Sequence, residues 1–182
     1  MPARVTDEVS YSIGRSSYAS FKVANCEFFL LDTRGARDMH DVKNREKPGV
    51  SMLGARQRDW LLKSMKESDA DFFFVTSSVP FMIPHSGAGG FEADNANKEE
   101  AWTGFFDERE KLIAEWEKLG KKVFVMTGDL HNSFAIKVTD NVWEFCCGPH
   151  NSVNHVPVLD ESDRPATGKF KFGPRECDIR WS

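Results

Sequence analysis

The chain of 182 residues reads as a layered α/β sandwich in one domain. Three observations support this. Apolar runs of strand length recur, the fullest being Phe72-Phe73-Phe74-Val75 and Val123-Phe124-Val125-Met126. Two longer segments place their apolar residues at helical spacing. A late pair of strands is separated by Thr139-Asp140-Asn141, side chains that favour a hairpin turn. With 15 Phe and 5 Trp, the chain has the material for a core.

The elements follow in order. Residues 19–24 and 27–31 read as short strands joined at Asn25-Cys26, the second running into Asp32-Thr33-Arg34-Gly35. Residues 36–52 are charged and carry Pro48-Gly49, which marks a surface loop. A helix over 55–67 buries Trp60, Leu61, Leu62 and Met65 as one stripe and stops at Ser68-Asp69. Residues 71–76 are almost continuously apolar, as in a strand covered on both faces. Residues 77–97 hold Pro80, Pro84 and Gly87-Ala88-Gly89-Gly90, a long loop of the kind that often carries function.

A second helix is expected over 98–119, with Phe105, Phe106, Arg109, Leu112, Ile113 and Trp116 inward. Gly120 follows as a left-handed stop, and Lys118 suits the negative end of the helix dipole. Strands are expected over 122–127, 133–138 and 142–147. Beyond Gly148 the chain is polar and Pro-rich, until Ile179 and Trp181 open a further strand, an ending that suggests a fragment.

A net charge of −4 without any Lys/Arg block offers no electrostatic ground for nucleic-acid binding. No uninterrupted apolar stretch is long enough to cross a bilayer, and the first residues lack a secretory h-region, so location stays unknown. Cys26, Cys146, Cys147 and Cys177 show no C-x-x-C spacing and read as core thiols, one of them serving as a metal thiolate being the alternative.

Gly128-Asp129-Leu130-His131, directly after an apolar run, is the most informative motif. Glycine permits a sharp turn and the approach of a ligand. If the stretch is extended, Asp129 and His131 alternate with Leu130 and share a face. A carboxylate and an imidazole together suit a hard or borderline cation. The competing reading is a turn Asp beside a surface His.

Five motifs in order carry a family resemblance. They are Leu31-Asp32-Thr33-Arg34; Leu53-Gly54-x-x-Gln57-x-x-Trp60-Leu61; Ser77-Ser78-Val79-Pro80-Phe81; Trp102-x-Gly104-Phe105-x-x-Glu108-Arg109; and Gly128-Asp129-x-His131. In that order they resemble the C-terminal half of the alkaline phosphatase D (PhoD-like) branch of the calcineurin-like metallophosphoesterases. The resemblance implies a four-layer α-β-β-α sandwich, of which residues 1–182 would be the C-terminal half of one truncated domain. It implies hydrolysis of phosphomonoesters or phosphodiesters by a metal-bound hydroxide, with no covalent enzyme intermediate. It also makes Asp129 and His131 metal ligands in a di- or trinuclear site, iron and calcium first, manganese or zinc otherwise.

The D-x-H, G-D-x-x-D-R and G-N-H-D/E blocks that open the wider superfamily are absent, and Ser77-Ser78 stands where that pattern places a His. Even one catalytic zinc generally takes three protein ligands. A missing N-terminal half would therefore supply the remaining ligands, and the fragment alone would be inactive. Towards a phosphoester substrate, Arg34 is the candidate for phosphate binding, and His85 and His150 are the candidates for proton transfer. Against these stand an Asp32 network that pins the strand end and plain loop histidines. Glu108-Arg109 reads as an ion pair fixing the long helix, and Trp102 and Phe105 as core or pocket wall. The rival functions are a non-catalytic module that kept the fold and a metal hydrolase acting on a non-phosphate ester.

Overall fold

Four apolar runs form the parallel centre of one mixed sheet. The structure, a computed structural model, describes residues 4–5, 17–38, 49–83, 101–151, 167–172 and 175–181. In chain order its strands are β1 (Arg4–Val5), β2 (Ala19–Val23), β3 (Cys26–Leu30), β4 (Phe72–Thr76), β5 (Lys122–Thr127), β6 (Phe134–Lys137), β7 (Val142–Cys146), β8 (Thr167–Phe172) and β9 (Arg175–Trp181). Helix α1 (Gly54–Glu67) precedes β4, and a 3-10 turn (Trp102–Gly104) and α2 (Phe106–Lys118) precede β5. The nine strands lie in the order β1-β2-β3-β4-β5-β7-β6-β9-β8. β3, β4, β5 and β7 are mutually parallel, and the remaining pairings are antiparallel.

The passages from β3 through α1 to β4, and from β4 through α2 to β5, step the same way across the sheet. Right-handed crossovers then place both helices on one face. Burial agrees. Phe29, Phe73, Val75, Val123, Val125, Val142, Ile136 and Ile179 form one cluster with Leu61 and Met65 of α1 and Leu112, Ile113 and Trp116 of α2. Gly120 has φ 63°, as expected of a left-handed helix stop.

The opposite face corrects one expectation. β4 was to be covered on both sides, yet its second face is open among the described residues. Phe21, Phe28, Phe74, Phe124 and Trp143 are register partners across five strands and so share that face. Ring centroids stand 4.9 Å apart for Phe21–Phe28, 4.8 Å for Phe28–Phe74 and 5.2 Å for Phe74–Phe124. Phe72, Met126 and Phe145 are each 37% exposed. A continuous apolar run shows that both faces of a strand are apolar; it does not show that the chain itself supplies both covers.

Other boundaries move slightly. The β2–β3 turn falls at Ala24-Asn25, with Ala24 at φ 51°, so Cys26 joins the strand. The second helix starts at Phe106, because Phe105 at φ −129°, ψ 48° breaks it from the 3-10 turn. The hairpin β8–β9 went unread except for Ile179 and Trp181, since its first strand lies in a polar stretch. No helix among the described residues is long and apolar enough to cross a membrane.

Candidate active site at the carboxyl ends of the parallel strands

Parallel strands point their carboxyl ends the same way, so the segments after β3, β4, β5 and β7 meet along one edge. In open α/β sheets ligands bind there. Leu31 N–H donates to Thr76 O (3.0 Å), Ser77 N–H to Met126 O (2.9 Å) and Cys147 N–H to Thr127 O (3.2 Å), carrying the row past the strand ends. Arg34 follows β3, Asp129 and His131 follow β5, and His150 follows β7, so these four expected residues share the edge. Arg34, Asp129 and His150 are exposed and His131 is half-buried. His85 lies outside the described residues.

The backbone at the motif differs from the sequence reading. Asp129, not Gly128, makes the turn, at φ 67° in the left-handed region. A Cβ on Gly128 would meet nothing within 4 Å. Strand alternation therefore ends at Thr127, and Leu130, between Asp129 and His131, packs against the core. Gly148 is the glycine held close: a Cβ there would lie 3.0 Å from Ser133 Oγ and 3.1 Å from the Asn132 carbonyl carbon. Its N–H donates to Ser133 Oγ (2.9 Å), tying the end of β7 to the segment after the motif. Among the described residues no group of three or more His, Cys, Asp or Glu is placed to hold a metal ion.

The family model for PhoD-like phosphatases matches residues 1–177. The chain belongs to the PhoD-like phosphatase family. Among solved structures it is similar to one described as the structure of PhoD, with TM-score 0.61 and 24% identity over 74% of this chain. That likeness shows the fold, and the chain spans 29% of the length of the PhoD chain. No curated protein matches it.

Several motif residues of this PhoD-like chain turn out to be buried polar supports. Gln57 exchanges two hydrogen bonds with the backbone of Asp32, Asp32 N–H to Oε1 and Nε2–H to Asp32 O, both 2.8 Å. The Asp32 carboxylate accepts N–H bonds from Ser17 (2.6 Å), Arg34 (2.9 Å) and Gly35 (2.7 Å). Burial raises its pKa, but those backbone donors outweigh burial and leave it below the usual value. This network pins the strand end and presents Arg34 on the rim. Glu108 on α2 accepts from Ser51 Oγ (2.6 Å) and from the N–H groups of Met52 (2.6 Å) and Leu53 (3.2 Å). It thereby fixes the entry to α1 that carries Gln57. Arg109, fully buried, pairs with Glu110 at 2.8 Å.

Glu144 is the support that the sequence reading missed. Its carboxylate, fully buried, accepts from Phe81 N–H (2.9 Å), Met82 N–H (2.8 Å) and Thr127 Oγ1 (2.8 Å). One signal was available: in Val142-Trp143-Glu144-Phe145-Cys146 the Glu falls on the same alternating face as Val142 and Cys146.

The adjacent cysteines divide between the two faces. Burial, with the charge of Glu144 behind it, pushes the Cys146 thiol up to about 12. Cys147 is exposed, its Sγ 3.7 Å from His150 Nε2, which corrects the expectation of uniformly buried thiols. Iodoacetamide should therefore label Cys147 and spare Cys146 in the folded chain, as read by peptide mass spectrometry. Equal labelling of both would contradict the assignment of faces.

A groove of about 680 Å³ lies elsewhere, lined by Leu62, Lys66, Glu115 and Leu119 near the carboxyl ends of the two helices. Those helix ends feed the amino ends of β4 and β5, so this groove belongs to the opposite edge.

Proposed function

We propose that this chain supplies one half of the active site of a metal-dependent phosphoesterase acting on phosphomonoesters or phosphodiesters. The observation that carries the reading is the family match over residues 1–177 together with Asp129 and His131 on the carboxyl edge. The donor chemistry of that pair fits a hard cation, and the number of donors fits part of a site: two, where a catalytic ion generally takes three or more. Iron and calcium are the ions proposed, with manganese or zinc as alternatives. When bound, such cations neutralise phosphate oxygens and acidify water, so that water, rather than an enzyme side chain, is the nucleophile. The remaining ligands come from further polypeptide, in keeping with a chain that spans 29% of its structural relative.

The chain's own residues take the substrate side. Arg34, exposed beside the pinned Asp32, offers a planar donor fork to the phosphate. His150, with Cys147 Sγ near its Nε2, and His85 are the candidates for protonating the leaving oxygen.

The same reading gives the aromatic face its cover. A second sheet packed on Phe28, Phe74 and Phe124 would complete a four-layer α-β-β-α sandwich. Phe124→Glu is then expected to destabilise the whole protein by several kcal/mol, on the order of a buried unpaired charge. The same change should cost the 182-residue chain distinctly less, since there Phe124 is only half-buried and loses its ring contact with Phe74 rather than burying a charge. Equal effects in both would argue against a covering sheet.

The decisive assay is turnover of p-nitrophenyl phosphate and bis-p-nitrophenyl phosphate by the whole protein with iron and calcium supplied. Turnover is expected there and not from residues 1–182 alone. Hydrolysis of neither ester with metal demonstrably bound would sink the phosphoester reading, in favour of a non-catalytic module or a hydrolase of other esters. Robust turnover by the short chain would show that its site is complete.

A further inference from the structure

From Ser77 to Ile83, directly after β4, every residue is buried except Ser78. The segment is firmly held. Ser77 Oγ donates to Val79 O (2.8 Å) and accepts from Trp102 Nε1 (3.1 Å), and Glu144 holds the amides of Phe81 and Met82. Ser78 therefore emerges at a fixed place on the carboxyl edge, between the segment that ends β3 and the one that ends β5. Its Oγ lies 2.5 Å from the hydroxyl of Thr33, which is 1% exposed.

In a pair of hydroxyls only one can donate to the other. When Thr33 donates, Ser78 keeps its own proton for an acceptor outside the protein, and the two bonds polarise each other in the same direction. The acceptor that gains most is anionic, because an O–H bond to a charged oxygen is roughly twice as strong as one to a neutral oxygen. The arrangement is unlike the other serine of the pair, whose hydroxyl is consumed inside the segment.

We propose that Ser78 is a substrate-binding hydroxyl, donating to a non-bridging oxygen of a phosphate ester, and that Thr33 is the positioning residue that fixes its direction. This rests on the phosphoesterase reading above and adds to Arg34 a neutral donor on the neighbouring strand. No covalent step is involved.

The test compares Ser78→Ala, Thr33→Val, Thr33→Ser and the Ser78→Ala/Thr33→Val double variant in the whole protein. The readouts are KM and kcat for p-nitrophenyl phosphate, inhibition by inorganic phosphate, and melting temperature. Ser78→Ala should raise both KM and the phosphate inhibition constant roughly ten- to a hundredfold, as for a lost bond to a charged group, with a modest fall in melting temperature because the buried Thr33 hydroxyl loses its acceptor. Thr33→Val should give a smaller rise, Thr33→Ser should restore it, and the double variant should be no worse than Ser78→Ala. Wild-type KM and phosphate inhibition in an active Ser78→Ala enzyme would overturn the role of Ser78 and leave the phosphoesterase reading standing. A Thr33→Val effect that adds fully to Ser78→Ala, with a lower melting temperature, would reduce Thr33 to a structural hydroxyl and overturn the relay. Absence of both turnover and phosphate binding in the wild type would remove the phosphoesterase reading and this inference with it.

Discussion

Asp129→Asn and His131→Ala should each abolish phosphoester turnover in the whole protein and deplete its metal, while the fold survives. Asn tolerates the left-handed region at least as well as Asp, so the φ of 67° at position 129 is retained and only the charge is lost. His131 is half-buried on a loop, and its removal empties little of the core, which Leu130 continues to anchor. Changing a group that merely supports a metal ligand costs about 10- to 100-fold in metal affinity or activity, so losing a ligand itself should exceed that. Elemental analysis of the purified variants, steady-state turnover and circular dichroism measure the three quantities. Wild-type metal content in either variant would defeat the ligand assignment.

The second large effect is on folding. Glu144→Leu should cost roughly 3–5 kcal/mol, because it strands two backbone N–H groups and one hydroxyl in the interior at about 1–3 kcal/mol each, less whatever relaxation recovers. Against a total stability of about 5–15 kcal/mol for a domain, that is a major fraction, and urea unfolding would show it. Phe81, Met82 and Thr127 are the groups left without their acceptor. The segment around Ser78 should therefore loosen first, seen as faster amide exchange at Phe81 and Met82.

Acidity gives the same residue a signature. Burial raises the Glu144 carboxyl above its ordinary 4.5, while the Phe81 N–H, the Thr127 hydroxyl, the Met82 N–H and the charge of Arg109 pull the other way without cancelling it. A carboxyl with a raised folded-state pKa binds its proton more tightly folded than unfolded. Its contribution to stability is full below the ordinary value and is lost as pH rises through the folded-state value. The stability difference between wild type and Glu144→Gln should accordingly shrink with rising pH above 4.5. A difference that grows with pH would contradict the direction of the shift.

Much of this was legible in the chain. The runs at 71–76 and 122–127, the helical stripes ending at Glu67 and Lys118, the Gly120 stop and the hairpin turn at 139–141 all rest on local rules, and local rules hold within one element. The family signature was legible too, though its residues split in use. Gln57 and Glu108 hold backbone near the edge and Trp102 holds the Ser77 hydroxyl, whereas Asp129 and His131 sit on the edge. Nothing in the one-dimensional pattern separates those uses, since both call for a polar residue at a fixed spacing.

Other features depend on neighbours distant in sequence. The hydrogen bond between Thr33 and Ser78 joins residues 45 apart, and Glu144 reaches its two amides across more than 60 positions. The left-handed turn at Asp129 was assigned in advance to the adjacent glycine, because glycine adopts that conformation at least cost; the packing of Leu130 accompanies the other outcome.

By itself the amino-acid order determined most of the strands, both helices and the family they belong to. Only the tertiary structure decided that one face of the sheet is lined with helices while, among the described residues, the other carries a row of half-buried aromatic rings. It also decided which polar groups are consumed as supports and which remain on the edge. The physical reason is that element type follows from spacing of a few residues, whereas burial and hydrogen-bond partnership depend on strand order and crossover handedness.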